Sequence, residues 1–124
     1  MNICNVPISI GELYDKYSIL LIKKEKINEN DKLYFINKEI KYLQPFINKF
    51  NLTQFGLVER IRAVNEILWN IEDEIRMKEH KQEFDEDFVT LARMVYKTND
   101  ERHKIKCEIN ATINSEIREM KSYK

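Results

Sequence analysis

Residues 57–75 read Leu57-Val58-Glu59-Arg60-Ile61-Arg62-Ala63-Val64-Asn65-Glu66-Ile67-Leu68-Trp69-Asn70-Ile71-Glu72-Asp73-Glu74-Ile75. Leu57, Ile61, Val64, Leu68, Ile71 and Ile75 return at alternating steps of four and three, which places them on one face of an α-helix. No Gly or Pro interrupts the run. The stretch predicts a helix from about Gln54 to Glu79. A second, polar stripe of Asn65, Trp69, Glu72 and Arg76 runs beside the apolar one, with Glu72 and Arg76 spaced as a helical ion pair.

The same signals extend outward. Residues 76–87 are charged and read as a loop, with Asp85 as the N-cap of a last, long helix from about Glu86 to at least Ile113. Asn114-Ser115 breaks it before a short tail. Upstream, Ser9-Ile10-Gly11-Glu12 forms a capping box that starts the first helix near Ile10 and carries it to about Asn28. Glu12 is read there as the capping carboxylate. Ile19 and Ile22 fall opposite the main stripe of that helix, which marks a helix that is central or faces a second subunit. A second helix begins at Asn30-Asp31 and follows Leu33, Ile36, Ile40 and Leu43. Pro45 disfavours helix at Gln44, so residues 45–53 read as a connector with buried Phe46 and Phe50. Pro7 keeps residues 1–8 extended. The expected fold is all-α: a small antiparallel bundle of about four helices, the last one long, with a short extended N-terminus, in one domain over residues 1–124.

Composition narrows the function classes. The chain has 124 residues, with 21 Lys+Arg against 21 Asp+Glu. Zero net charge argues against nucleic-acid binding through bulk charge and against a basic membrane-surface protein. The longest uninterrupted apolar run is Ile19-Leu20-Leu21-Ile22, far short of the roughly 20 residues of a membrane span. Gly11 and Gly56 stand alone, so no Gly-rich phosphate loop exists. Cys4 and Cys107 form no CxxC pair, and isolated thiols fit a reducing cytoplasm, the host's in the case of a virus. His80 and His103 lack metal-ligand spacing, so neither zinc nor another metal or cofactor is expected. Glu12-Leu13-Tyr14-Asp15 is a lone ExxD, with no ExxE opposite it to hold magnesium as an all-helical nucleotide pyrophosphatase would.

Charge is shared unevenly along the chain. Residues 51–89 carry five basic and ten acidic side chains, between two net-basic segments. That pattern suits antiparallel packing with cross-helix ion pairs.

One feature of the last helix breaks its own pattern. Phe88, Leu91, Ala92 and Val95 form a core face that Ile109, Ile113, Ile117 and Met120 continue. Between them the face holds Asn99, Arg102 and Lys106. Inward-facing charges need partners. The first helix offers Asp15 and Lys16, with Glu12 beside them, and the third offers Glu72 and Arg76. Asp15, Lys16, Trp69, Glu72, Arg76, Asn99, Arg102 and Lys106 are therefore the candidate site. Three readings stay open: a structural network, a small-anion site held by Arg102, Lys106 and Arg76, and a protein-partner site. The missing nucleophile machinery leaves catalysis undecided and favours a binding or adaptor protein with a protein partner or a second copy of itself.

Several stretches also carry a family likeness. Gly11-Glu12-Leu13-Tyr14-Asp15-Lys16, Leu68-Trp69-Asn70-Ile71-Glu72-Asp73-Glu74-Ile75-Arg76 and Leu91-Ala92-Arg93-Met94-Val95-Tyr96 belong to the set. So do Asn99-Asp100-Glu101-Arg102, Ile109-Asn110 and Glu119-Met120-Lys121-Ser122-Tyr123. Together they resemble domain-of-unknown-function family 6165, short proteins of bacteria and some viruses with no settled activity. The resemblance covers nearly the whole chain. It picks out Asp15, Lys16, Glu72, Asp73, Arg76, Asn99 and Arg102. The family pattern has Asp where this chain has Asn70, which removes a carboxylate from any acid–base or metal reading there. It has Gly-Ser where this chain has Asn114-Ser115, which bears on where the last helix ends. A looser likeness to the chorismate mutase fold, with its Arg- and Lys-lined pockets for dicarboxylates, is one of architecture alone, since the first helix lacks the Arg expected there.

Overall fold

The structure, a computed structural model, describes residues 2–122. Among them are four α-helices and no strand: α1 (Ile10–Lys26), α2 (Asn30–Phe50), α3 (Leu57–His80) and α4 (Glu86–Ile113), with a 3-10 turn at Gln54–Gly56. None of the helices is long and apolar enough to cross a membrane. Tyr123, the last residue of the family-like tail, lies outside the described residues.

The starts of α1 and α4 follow the expected chemistry. Ser9 Oγ accepts from the Glu12 amide at 3.0 Å, and Asp85 Oδ1 accepts from the Phe88 amide at 3.0 Å. Asn114 closes α4 in the left-handed region, φ 58, a conformation that Asn tolerates better than most residues.

Four boundaries differ from the sequence reading. α2 passes through Pro45 and ends at Phe50. Proline removes one backbone hydrogen bond, to the carbonyl of Lys41, and both Pro45 and Lys41 are exposed. Beyond it Ile47 and Phe50 extend the Ile36–Ile40–Leu43 stripe and pack against the core, which outweighs the lost bond. As a consequence Phe46 turns outward and is exposed, and Phe50 is only half-buried. α1 stops at Lys26, α3 starts at Leu57, and α3 continues to His80 so that the charged linker shrinks to residues 81–85. α4 ends at Ile113, leaving Ile117 and Met120 exposed on the tail rather than continuing its core face; Ala92 is exposed as well.

α1 is the central helix. It packs against α2, α3 and α4, and α3 and α4 pack along each other. The core gathers Tyr14, Leu52, Leu57, Ile61, Val64, Ile105 and Ile109. Tyr14 also ties down the α2–α3 connector, its hydroxyl accepting from the Leu52 amide at 2.9 Å. Ile22 is 1% exposed within the single chain, so of its two expected settings it takes the central one. It packs inside because α1 has neighbours on more than one side.

The start of α1 lies against α4 without a spacer. A Cβ on Gly11 would sit 2.6 Å from the backbone carbonyl oxygen of Lys106. Backbone cannot yield as a flexible side chain does, so Gly11→Ala is expected to lower unfolding stability by about 1–3 kcal/mol, read by urea titration. An unchanged midpoint would mean that α1 and α4 can separate freely there.

Candidate functional site

The first residues of α1 face the last turns of α4, and this sets the site. A helix start leaves its leading N–H groups without intrahelical acceptors. Here the Ile10 amide donates to Ser115 Oγ at 3.1 Å, and the Gly11 amide to Asn110 Oδ1 at 2.7 Å. Together with Ser9 on the Glu12 amide, these side chains hold α1 end-on against α4 and its tail. Asn110, in the sequon Asn110-Ala111-Thr112, is buried by this contact.

One turn further along α1, the Asp15 side chain is fully buried. A buried carboxylate stays charged only where cations and donors surround it. Arg102 on α4 supplies a two-pronged contact, Nε to Oδ1 at 2.8 Å and Nη2 to Oδ2 at 2.5 Å. Asn65 on α3 donates to Oδ1 at 2.9 Å, and also to Ser18 Oγ at 2.8 Å. Ser18 in turn donates to the Asp15 carbonyl at 2.8 Å. Three helices are thus joined through one side chain. The bond to Asp15 raises the Arg102 pKa above its ordinary value, so the guanidinium is a fixed charge.

Lys106 lies one turn below Arg102 and is buried. Its Nζ is 2.6 Å from Glu12 Oε2, 3.1 Å from Glu119 Oε2 and 3.8 Å from Asp15 Oδ2. Burial pulls its pKa down, but the bonds to Glu12 and Glu119 and the charges of Glu12 and Asp15 together outweigh this, and the net shift is upward. Glu119 comes from the tail beyond α4 and also meets Lys121 at 3.0 Å.

The sequence candidates divide accordingly. Asp15, Arg102 and Lys106 meet as expected. Asn99 is half-buried beside them and accepts from Arg102 Nη1 at 3.4 Å. Lys16 points away, to Glu39 on α2 at 3.6 Å. Glu72 and Arg76 do not reach the cluster: they pair with each other at 3.7 Å on an exposed stretch of α3. Trp69 is half-buried on α3. The carboxylates that meet Arg102 and Lys106 come from α1 and the tail instead of Glu72, because α3 approaches α1 through Asn65, nearly two turns earlier. Glu12 has more than a capping role, since its carboxylate takes Lys106.

Asn65, Ser18, Asn110, Ser115 and Glu119 were not singled out as site residues. Asn65 had a visible signal, a polar residue beside the apolar stripe of α3. Glu119 had only its place in the family-like tail, since a tail's path is not written in helical periodicity.

Two concavities flank the cluster. One of about 280 Å³ touches Asp15, Lys16, Glu39 and Arg102. The other, about 420 Å³, is lined by Glu12, Asn99, Arg102, His103, Lys106, Glu119 and Lys121. Among the described residues no group of three or more His, Cys, Asp or Glu side chains is arranged to hold a metal ion. Cys4 and Cys107 are unbridged and exposed.

The model of DUF6165, a family of unknown function, matches residues 4–124. The chain belongs to that family. No curated protein and no solved structure matches the chain. DUF6165 membership spans the whole cluster, from Glu12 to Glu119, and brings no reaction or ligand with it.

The tail contact has a pH signature. Bonds from Lys121 and Lys106 hold the Glu119 carboxyl down at about 2, against an ordinary 4.5. A lowered native pKa means that the contact is fully present above the ordinary value and is lost as pH falls through about 2. The stability difference between the parent and Glu119→Gln, read by urea titration, is expected to be largest above pH 4.5 and to shrink as pH falls towards 2. A difference equal at every pH would show that the Glu119 charge does not hold the tail.

Proposed function

We propose that this DUF6165 member is a non-catalytic binding protein that works through helix–helix interfaces. The observation that carries this reading is the far half of the α3–α4 pair. From Glu72 to Lys104 no residue is buried. Ile75, Leu91 and Val95 are half-buried, while Met77, Phe84, Val89, Met94 and Tyr96 stand exposed. Two helices alone have a single seam, and helices in proteins draw most of their stability from tertiary packing. Val89, Ala92 and Tyr96 share a face by their spacing, all exposed. An arm of this kind suits a partner that supplies the missing layer.

The charged cluster supports the same reading. Asp15, Arg102 and Lys106 are occupied by one another and by Glu12, Asn65 and Glu119. Groups satisfied by one another in this way suit a network that holds helices together.

Photo-crosslinking in the producing cell tests the reading. A crosslinking residue at Val89 or Tyr96 is expected to give a discrete adduct, while one at exposed Glu59, outside the arm, gives none. Absence of adducts at every arm position would remove the reading's support.

A second reading has its own observation. Arg102, Lys106 and Lys121 all line the 420 Å³ concavity, and guanidinium and ammonium groups suit carboxylate or phosphate. Here the chain would hold a small anion. Phosphate or a dicarboxylate would then raise the unfolding temperature with increasing concentration, more so in Glu119→Gln, where the resident carboxylate is gone. No shift in either protein would dismiss it.

A further inference from the structure

α2 carries two apolar stripes, and only one is covered. Leu33, Ile36, Ile40, Leu43 and Ile47 form the inner stripe, buried or half-buried along α1. At ~100° per residue, Phe35, Glu39, Tyr42 and Phe46 form a second stripe with steps of four, three and four. Phe35 is 67% exposed, Tyr42 55% and Phe46 53%. Three large aromatics in line on one helix is more than the scattered apolar exposure of an ordinary surface.

We propose that this stripe is where a second copy of the chain docks, α2 against α2, antiparallel about a twofold axis between Glu39 and Tyr42. The inference rests on, and gives one partner to, the helix-interface reading above. The distribution of charge selects a second copy and its direction. Asp31 lies at the start of α2 and Lys49 at its end, while Glu29 is taken by Lys32 of the same turn at 3.6 Å. An antiparallel copy brings Asp31 beside Lys49 of the other chain at both ends, and opposes the two helix dipoles favourably. A parallel copy would set like charges together at each end. Between the ends, the same register stacks Phe35 on Phe46 of the second copy. It also sets each Tyr42 hydroxyl by the Glu39 carboxylate opposite, which is half-exposed and pairs at 3.6 Å with Lys16. Every residue of the stripe thus finds a complement within the same stripe, as a twofold interface requires. The zero net charge of the chain leaves no overall repulsion between copies.

Sedimentation equilibrium of the full chain tests this. A monomer–dimer equilibrium is expected, weakened at least tenfold by Tyr42→Glu with unchanged helicity. Asp31→Lys and Lys49→Asp are each expected to weaken it several-fold, and the double swap to restore it, because the swapped ends again match. A chain monomeric at every concentration overturns the proposal. So does a dimer insensitive to Tyr42→Glu, or a swap that fails to rescue. Crosslinks at Val89 and Tyr96 read the arm separately, so loss of the α2 dimer with those adducts intact sinks this inference alone. Loss of the adducts with the dimer intact removes the arm as carrier of the wider reading and leaves this interface standing.

Discussion

A carboxylate out of reach of solvent must be met by fixed cations and donors, and Asp15 lies where α1, α3 and α4 come together. Much of the local architecture follows from meeting that demand. Arg102 has to be held rigidly, because its two-pronged contact has little angular tolerance. Asn65 must orient its amide, which Ser18 does. Lys106 adds a second cation, and its own burial then calls for Glu12 and Glu119. A buried ion pair is weak proof of net stability, because desolvation offsets much of the Coulomb gain. Its effect here is on geometry: slippage of α1 along α4 would separate Asp15 from Arg102.

The backbone reinforces that register. Close approach at Gly11 brings the start of α1 onto α4, where Asn110 and Ser115 accept its leading amides. Side chains from the end of the chain therefore cap the helix at its beginning. Around this fixed centre lie two surfaces of different character, the outer stripe of α2 and the far half of the α3–α4 pair, where aromatic and aliphatic groups meet solvent.

Helical periodicity made the fold class legible, since the α3 stripe and the Ser9 and Asp85 caps are local signals. It also exposed Arg102 and Lys106, because charges set in an apolar stripe contradict their neighbours. What it could not supply was which carboxylates answer them. Glu72 and Asp15 were both available, and the choice depends on where α3 and α1 cross, which is fixed by tertiary packing. Pro45 misled for a related reason: its local cost is real, but the apolar stripe of α2 continues past it onto α1. Ile22 leaves α1 either central or at a second subunit, because the wheel of one helix does not show how many neighbours surround it.

Whether Asp15 and Arg102 depend on each other is read from their coupling energy, measured by equilibrium unfolding of Arg102→Met, Asp15→Leu and the double variant. Arg102→Met, which strands a buried charge, is expected to lose about 3–5 kcal/mol, and the double variant to be more stable than that single one. Losses that simply add, or an Arg102→Met protein as stable as the parent, would contradict that dependence.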